Sequence, residues 1–235
     1  MRLSWPGLMS HWGNFFLKTN CALCQRSTHQ PLCSACERQL QQCRIPLIPQ
    51  GQKQTPSVTG VGGLSVFAWG EYRDAVKRTI AALKYEGNRD LAAILADYLV
   101  ASWLEAPHPN YLTIVPVPIH PSKREERGFN QADLLARHFC HLTGYPLAVN
   151  GLERIKTTVA QFQVGSAQKR EANLKDAFAL GRTFQTQRPR HPVLLIDDIY
   201  TSGATVRSAA QTLRRHGIRV YGVAVVAQAG RSHQR

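Results

Sequence analysis

The chain has 235 residues, of which 43% are hydrophobic and 19% charged, enough to bury a sizeable core as one main domain with a small appendage. No apolar run reaches membrane-spanning length, and the N-terminal stretch is broken by Pro6, Gly7, His11 and Gly13 with no small-residue cleavage site; this argues against membrane insertion and a secretory leader and predicts a cytoplasmic protein. With 29 Lys and Arg against 15 Asp and Glu, the formal net charge of +14 favours polyanionic partners, nucleic acid or polyphosphate, without choosing between them.

Taken in chain order, the first unit is a cysteine module. Cys21, Cys24, Cys33 and Cys36 form two Cys-x-x-Cys knuckles, the spacing with which two tight turns aim four thiolates at one tetrahedral zinc ion and leave no open position for catalysis. A redox dithiol is the competing reading. Cys43 stands apart as a remnant of a further knuckle or an alternative ligand, and Cys140 lies in a helical apolar pattern as a small core residue. The prolines and glycines from Pro46 to Gly63 read as an irregular connection, so the expected division is a zinc module over 1–47 and a larger domain over 64–230.

In that larger domain, Leu64 to Trp69 reads as a strand, and Val76, Ile80 and Leu83 as the stripe of a helix stopped by Gly87 and Asn88. Leu91, Ile94, Leu95, Tyr98 and Leu99 line a second helix. Leu112 to Val117 is a buried strand running into a proline-bounded loop. Asn130 caps a helix reaching about Leu142, with Leu135, Phe139 and Leu142 inward. Leu147 to Leu152 supplies another strand, Val193 to Ile196 a buried one, Ala204 to His216 a helix closed by Gly217, and Ile218 to Val226 a last strand. Strands alternating with helices predict an α/β fold: a mostly parallel sheet covered on both faces, with ligands at the carboxyl ends of its strands.

The densest chemistry follows Val193. A hydrophobic strand delivers Asp197 and Asp198 and then turns through Thr201, Ser202 and Gly203 into a helix carrying Thr205. Free backbone N–H groups and the positive dipole end of that helix favour a phosphate, hydroxyls add donors, and glycine permits close approach. Two adjacent carboxylates need donors or a cation, which ribose hydroxyls with a nearby Mg2+ would supply. Helix capping is the plainer alternative for the pair.

The segment from Val193 to Thr205 resembles the phosphoribosyl pyrophosphate signature of type I phosphoribosyltransferases. Together with Ile114-Val-Pro-Val-Pro118, Arg127-Gly-Phe-Asn-Gln131 and the cysteine knuckles, it makes the chain similar, from about Cys21 to Ala227, to the ComF family of competence-associated proteins, which includes GntX-like proteins. The resemblance implies a type I phosphoribosyltransferase-like fold that binds phosphoribosyl pyrophosphate (PRPP) with Mg2+ beside a structural Zn2+. Asp197 and Asp198, the expected catalytic pair, would hold the ribose hydroxyls, with Thr201, Ser202, Gly203, Ala204 and Thr205 around the 5-phosphate. The loop after Val117 would face the pyrophosphate. Lys123, Arg124 and Arg127 would neutralise that group as it departs. A basic hood carrying Arg154, Thr158, Gln161, Lys169, Arg170 and Asn173 would cover it, Lys169 and Arg170 excluding water. The expected chemistry is displacement of pyrophosphate at the ribose C1 with no covalent enzyme intermediate, by an acceptor that the sequence does not identify. The resemblance also implies a second possibility, a non-catalytic, ligand-responsive factor that handles single-stranded DNA in natural transformation, peripheral to the DNA-uptake machinery. Replacing Cys33 with Ser is expected to loosen the small module and to spare ligand binding by the large one.

Overall fold

The computed structural model describes residues 19–46, 58–60, 63–155 and 177–230. β1 (Thr19–Asn20) and β2 (Ser27–Thr28) form a small antiparallel hairpin, followed by α1 (Ser34–Gln41). β3 (Val58–Gly60) and β4 (Leu64–Glu71) lead to α2 (Asp74–Tyr85) and α3 (Leu91–Glu105). Next come β5 (Thr113–Pro116), α4 (Pro121–Arg127) and α5 (Gln131–Thr143). β6 (Leu152–Arg154), β7 (Phe178–Leu180) and the short α6 (Arg182–Thr186) precede β8 (Val193–Tyr200), α7 (Ala204–Arg215) and β9 (Val220–Gln228).

The central sheet has the order β3-β4-β9-β8-β5. β3 joins its edge antiparallel, and the other pairings are parallel. This is the mostly parallel sheet flanked by helices that the alternating pattern predicts. Side chains alternate across the pleat, so Leu194 and Ile196 enter the core on the side of α2, α3 and α5, while Val193 and Leu195 enter the core beneath α7. At Gly222 a Cβ would lie 2.5 Å from the Ser65 carbonyl oxygen, so β4 and β9 approach too closely there for any side chain.

Three elements depart from the sequence reading. β8 does not end at Ile196; it continues through the acidic pair because β9 pairs with it as far as Tyr200↔Gln228. Leu147 makes a single parallel bridge to Ile114 instead of opening a strand, and β6 begins at Leu152 and pairs with β7 in a separate two-stranded sheet. Leu142 is 47% exposed: the buried stripe of α5 runs through Ala132, Leu135, Ala136 and Phe139 and ends there, so Leu142, in the last turn before the Gly144 cap, has no core to face. The cap on α5 is as expected, with Asn130 accepting from Ala132 N at 3.1 Å, and its amide also donates to the Val117 carbonyl at 3.1 Å, pinning the end of the β5 loop to the helix.

The cysteine module packs against the sheet. Cys21, Leu32, Cys36, Leu40 and Cys43 belong to the same buried cluster as α2 and α3. Backbone bonds run from Ile45 N to Trp69 O at 2.9 Å and from Glu71 N to Cys43 O at 2.8 Å, Tyr98 donates to Glu37 at 2.8 Å, and the Tyr98 ring stacks on Trp69. Among the described residues no helix is long and apolar enough to cross a membrane.

Candidate functional site

The carboxyl ends of β5 and β8 and the last turn of α2 converge on one group of charges. Because β8 is still a strand at the acidic pair, its two carboxylates leave in line with opposite cores: Asp198 follows Leu194 and Ile196 toward α2, and Asp197 follows Val193 and Leu195. Asp198 meets the ammonium of Lys84 there, in an ion pair whose side chains are 5% and 15% exposed respectively. Asp197 Oδ1 accepts from Asp198 N at 2.9 Å. Removal from water, and then the Asp198 charge, push the Asp197 carboxyl well above the usual carboxylate range, against the pull of Lys84. A carboxyl raised in this way is short of positive charge.

Beyond β8 the chain turns through the exposed Thr201 and Ser202 into α7. Gly203 sits at φ +72°, and a Cβ there would fall 2.2 Å from the Tyr200 hydroxyl, inside the ring's own contact surface. The turn therefore requires glycine. Ser202 Oγ accepts from Ala204 N at 3.4 Å, and its carbonyl takes a bond from Arg207 at 2.7 Å. The next N–H groups of the first turn of α7, Thr205 among them, have no intrahelical acceptor, as at any helix start.

Facing the acids is a basic group. α4 begins at Pro121, with His120 Nδ1 accepting from Ser122 N at 3.2 Å, and carries Lys123 and Arg127. Partial burial first, and then the charges of Arg127 and Arg154 with a smaller share from Lys84, lower the Lys123 ammonium from its ordinary value. Burial lowers Arg154, and the Asp197 charge opposes that shift. Arg127 donates to Gln131 at 3.2 Å and lies over the Tyr85 ring at 5.1 Å, yet its buried Nε has no hydrogen-bond partner among the described residues. An unsatisfied buried guanidinium N–H costs free energy that an oxyanion would recover.

Of the expected site residues, Asp197, Asp198, Lys123 and Arg127 lie within electrostatic reach of the group that includes Lys84 and Arg154, Thr201 to Thr205 form the turn and first turn of α7, and Lys123 and Arg124 are both exposed on α4. Lys169 and Arg170, with Thr158, Gln161 and Asn173, lie outside the described residues. Sequence reasoning missed Lys84. Its one signal is that it lies four residues after Ile80, on the buried stripe of α2.

The sulfur atoms of Cys21, Cys24, Cys33 and Cys36 all lie within 4.8 Å of one another. Burial opposes ionisation of Cys21, but backbone donors from Cys33, Leu23 and Cys24 bring its thiol down to about 6. Four clustered sulfurs, with Cys21 and Cys33 both shifted toward the thiolate form, suit a closed zinc site. Cys43, which the spacing left open as a ligand, instead points its sulfur at the carbonyls of Gln39 and Arg73, at 3.6 and 3.7 Å. Cys140 is pushed up to about 12 by burial, as a thiol half-sunk in the core should be.

No family model matches the chain. Adenine phosphoribosyltransferase from Trypanosoma brucei aligns with 82% of the chain and 67% of its own length at 12% identity and a TM-score of 0.39. Glutamine PRPP amidotransferase from B. subtilis aligns with 59% of the chain and 26% of its own length at 17% identity and a TM-score of 0.37. By sequence, the chain is 26% identical to competence protein ComFC of Bacillus subtilis over 62% of the chain and 56% of that protein. It is 30% identical to the DNA utilization protein YhgH of Salmonella typhimurium over 90% of the chain and 88% of that protein. It is 31% identical to competence protein F of Haemophilus influenzae, over 90% of the chain and 98% of that protein. Near-complete coverage at this identity, with the knuckles, the acidic pair and the arginine-led α4–α5 turn all in place, means that the chain belongs to the ComF family, that of competence protein F and the DNA utilization protein YhgH.

Proposed function

We propose that this protein is a cytoplasmic PRPP-binding protein that transfers the phosphoribosyl group to an acceptor with release of pyrophosphate. The observation that carries the reading is the opposition of charges at one sheet end: the acidic pair on β8, its Asp197 carboxyl short of positive charge and its Asp198 met by Lys84, beside a helix N-terminus and across from Lys123, Arg127 and Arg154. A sugar with a phosphate at one end and a diphosphate at the other satisfies all three.

Asp197 and Asp198 accept from the ribose hydroxyls. The backbone N–H groups at the start of α7 and the hydroxyls of Thr201, Ser202 and Thr205 hold the 5-phosphate. Lys123 and Arg127, whose Nε lacks a partner among the described residues, bind the diphosphate and stabilise the charge that gathers on it as its bond to C1 breaks. Bound Mg2+ would supply further charge neutralisation to the diphosphate oxygens. The acceptor's electron pair forms the new bond to C1, and pyrophosphate leaves with the electrons of the old one. In this reading Lys169 and Arg170 close over the leaving group. The cysteine module holds Zn2+ structurally through Cys21, Cys24, Cys33 and Cys36.

Calorimetric titration tests it: wild-type protein binds PRPP with Mg2+, and the Asp197→Asn/Asp198→Asn variant does not. Folded wild type that takes up no PRPP would end this reading.

A second reading is supported by the names of the relatives, DNA utilization and competence, together with the net charge of +14: the same protein handles single-stranded DNA. Its affinity for an oligonucleotide then falls steeply with salt, with a log–log slope of about −3 if roughly four phosphates are neutralised. Fluorescence anisotropy between low and physiological salt measures that slope, and an affinity indifferent to salt would remove the basis for DNA handling.

A further inference from the structure

Lys84 is a partly buried cation at this sheet end to which the proposed function gives no task. It stands in the last turn of α2, where a lysine ordinarily complements the helix dipole from the surface. Here the side chain is only 15% exposed and its ammonium lies against Asp198 Oδ2. No hydrogen-bond donor otherwise reaches that oxygen among the described residues. The same ammonium is also felt by the basic group: it contributes to lowering Lys123, and the adjoining Tyr85 receives the Arg127 guanidinium on its ring. Lys84 therefore stands at the boundary between the acids that would hold the ribose and the cations that would hold the diphosphate.

This position sets a conflict. A carboxylate engaged by a partly buried ammonium has less to offer a ribose hydroxyl, and separating such a pair is costly when either charge is left without a partner. The exchange becomes favourable when the incoming molecule carries replacements for both partners, hydroxyls for Asp198 and an anion for Lys84. We propose that Lys84 is a transferable counter-ion, paired with Asp198 in the ligand-free site and passed to the diphosphate of the incoming sugar, so that the site opens its ribose-binding acids to a sugar diphosphate in preference to a sugar monophosphate. The inference rests on the PRPP reading and deepens it by naming what selects PRPP over ribose 5-phosphate. Lys84 acts in it as a specificity-determining residue, and the flexible four-carbon stem suits a head group with two stations.

The experiment is a calorimetric comparison of PRPP and ribose 5-phosphate, each with Mg2+, on wild type, Lys84→Met and Lys84→Arg. Wild type is expected to prefer PRPP strongly. Lys84→Met loses about ten- to a hundredfold in PRPP affinity, the worth of one charge-assisted contact, while ribose 5-phosphate binds as well as before or better because Asp198 is no longer engaged. Lys84→Arg restores most of the preference. A Lys84→Met variant that weakens both ligands equally, or leaves their ratio unchanged, would overturn the proposal and leave Lys84 as structural support for Asp198. Wild type that binds neither PRPP nor Mg2+-pyrophosphate would instead overturn the PRPP reading, and the counter-ion role with it. Should Lys84→Met fail to fold, the wild type alone decides through the 15N resonance of the Lys84 ammonium. It moves with PRPP and with pyrophosphate but not with ribose 5-phosphate, and an equal shift with all three refutes the transfer.

Discussion

Asp197→Asn is expected to melt at a higher temperature than the wild type at neutral pH, while binding PRPP tenfold or more weakly. The carboxyl is displaced upward by removal from water and by its neighbour Asp198, so the folded protein holds this proton more tightly than the unfolded chain, whose Asp titrates near about 3.9. A group raised in this way contributes its stability below the unfolded value and loses that contribution as pH climbs through the folded one. At neutral pH an ionised Asp197 is therefore a liability that asparagine, of nearly the same shape, removes. The melting advantage of the variant should grow from about pH 4 upward and vanish in acid. Ligand binding moves the other way, because an ionised acceptor of hydroxyl hydrogen bonds is lost, at about 1.5–3 kcal/mol. Thermal melts across pH 4 to 8 with parallel calorimetry check both halves. A wild type that outlasts the variant at neutral pH would mean that the charge on Asp197 is better compensated than its surroundings indicate.

Removing zinc, by chelation or by Cys33→Ser, is expected to reach well past the cysteines. An isolated structural zinc site supplies about 10–16 kcal/mol of folding free energy. A module that also shares a core with α2 and α3 should lose less than that; a loss of roughly 5 kcal/mol lowers Tm by about 10–20 °C in a protein of this size. The sequence suggests that such damage stays within the small module and leaves ligand binding intact. The packing argues otherwise: Arg78 of α2 donates to Gln39 at 2.8 Å, α1 lies against α2, and the last turn of α2 carries Lys84. Zinc loss should therefore weaken PRPP binding and raise hydrogen exchange along α2. Full metal occupancy in Cys33→Ser would show the ligands to be misassigned, and unchanged α2 protection in the metal-free protein would show that the shared core transmits nothing.

Particular residues show which features can be read from a sequence. Asp197 and Asp198 stand out because two consecutive acids after four aliphatic residues are costly without a purpose, and Asn130 because an N-cap acts on its own local backbone. The cysteine knuckles are local for the same reason. Lys84 is hidden, since its meaning depends on a strand more than a hundred residues away, and a lone lysine at a helix end looks like a solvated one. The extent of β8 is hidden likewise: whether a strand continues past Ile196 is decided by the neighbour that pairs with it, here β9, and not by the acids themselves. Leu142 fits the inward period of α5 yet is exposed, because periodicity counts apolar residues and cannot tell that the buried stripe ends at Phe139.

The order of the strands has a consequence for how the protein is made. β4 pairs in parallel with β9, Ser65 opposite Gly222, so a strand translated early has one flank open until the final strand of the sheet has been synthesised. At roughly 5–20 residues per second, that wait lasts on the order of ten seconds, with an aliphatic edge exposed on the ribosome. β8 cannot take its place between β5 and β9 in the meantime without leaving an edge of its own. The nascent chain therefore has reason to engage a holding chaperone, and a message cut short before Val220 would yield not a smaller working protein but an open sheet prone to self-association.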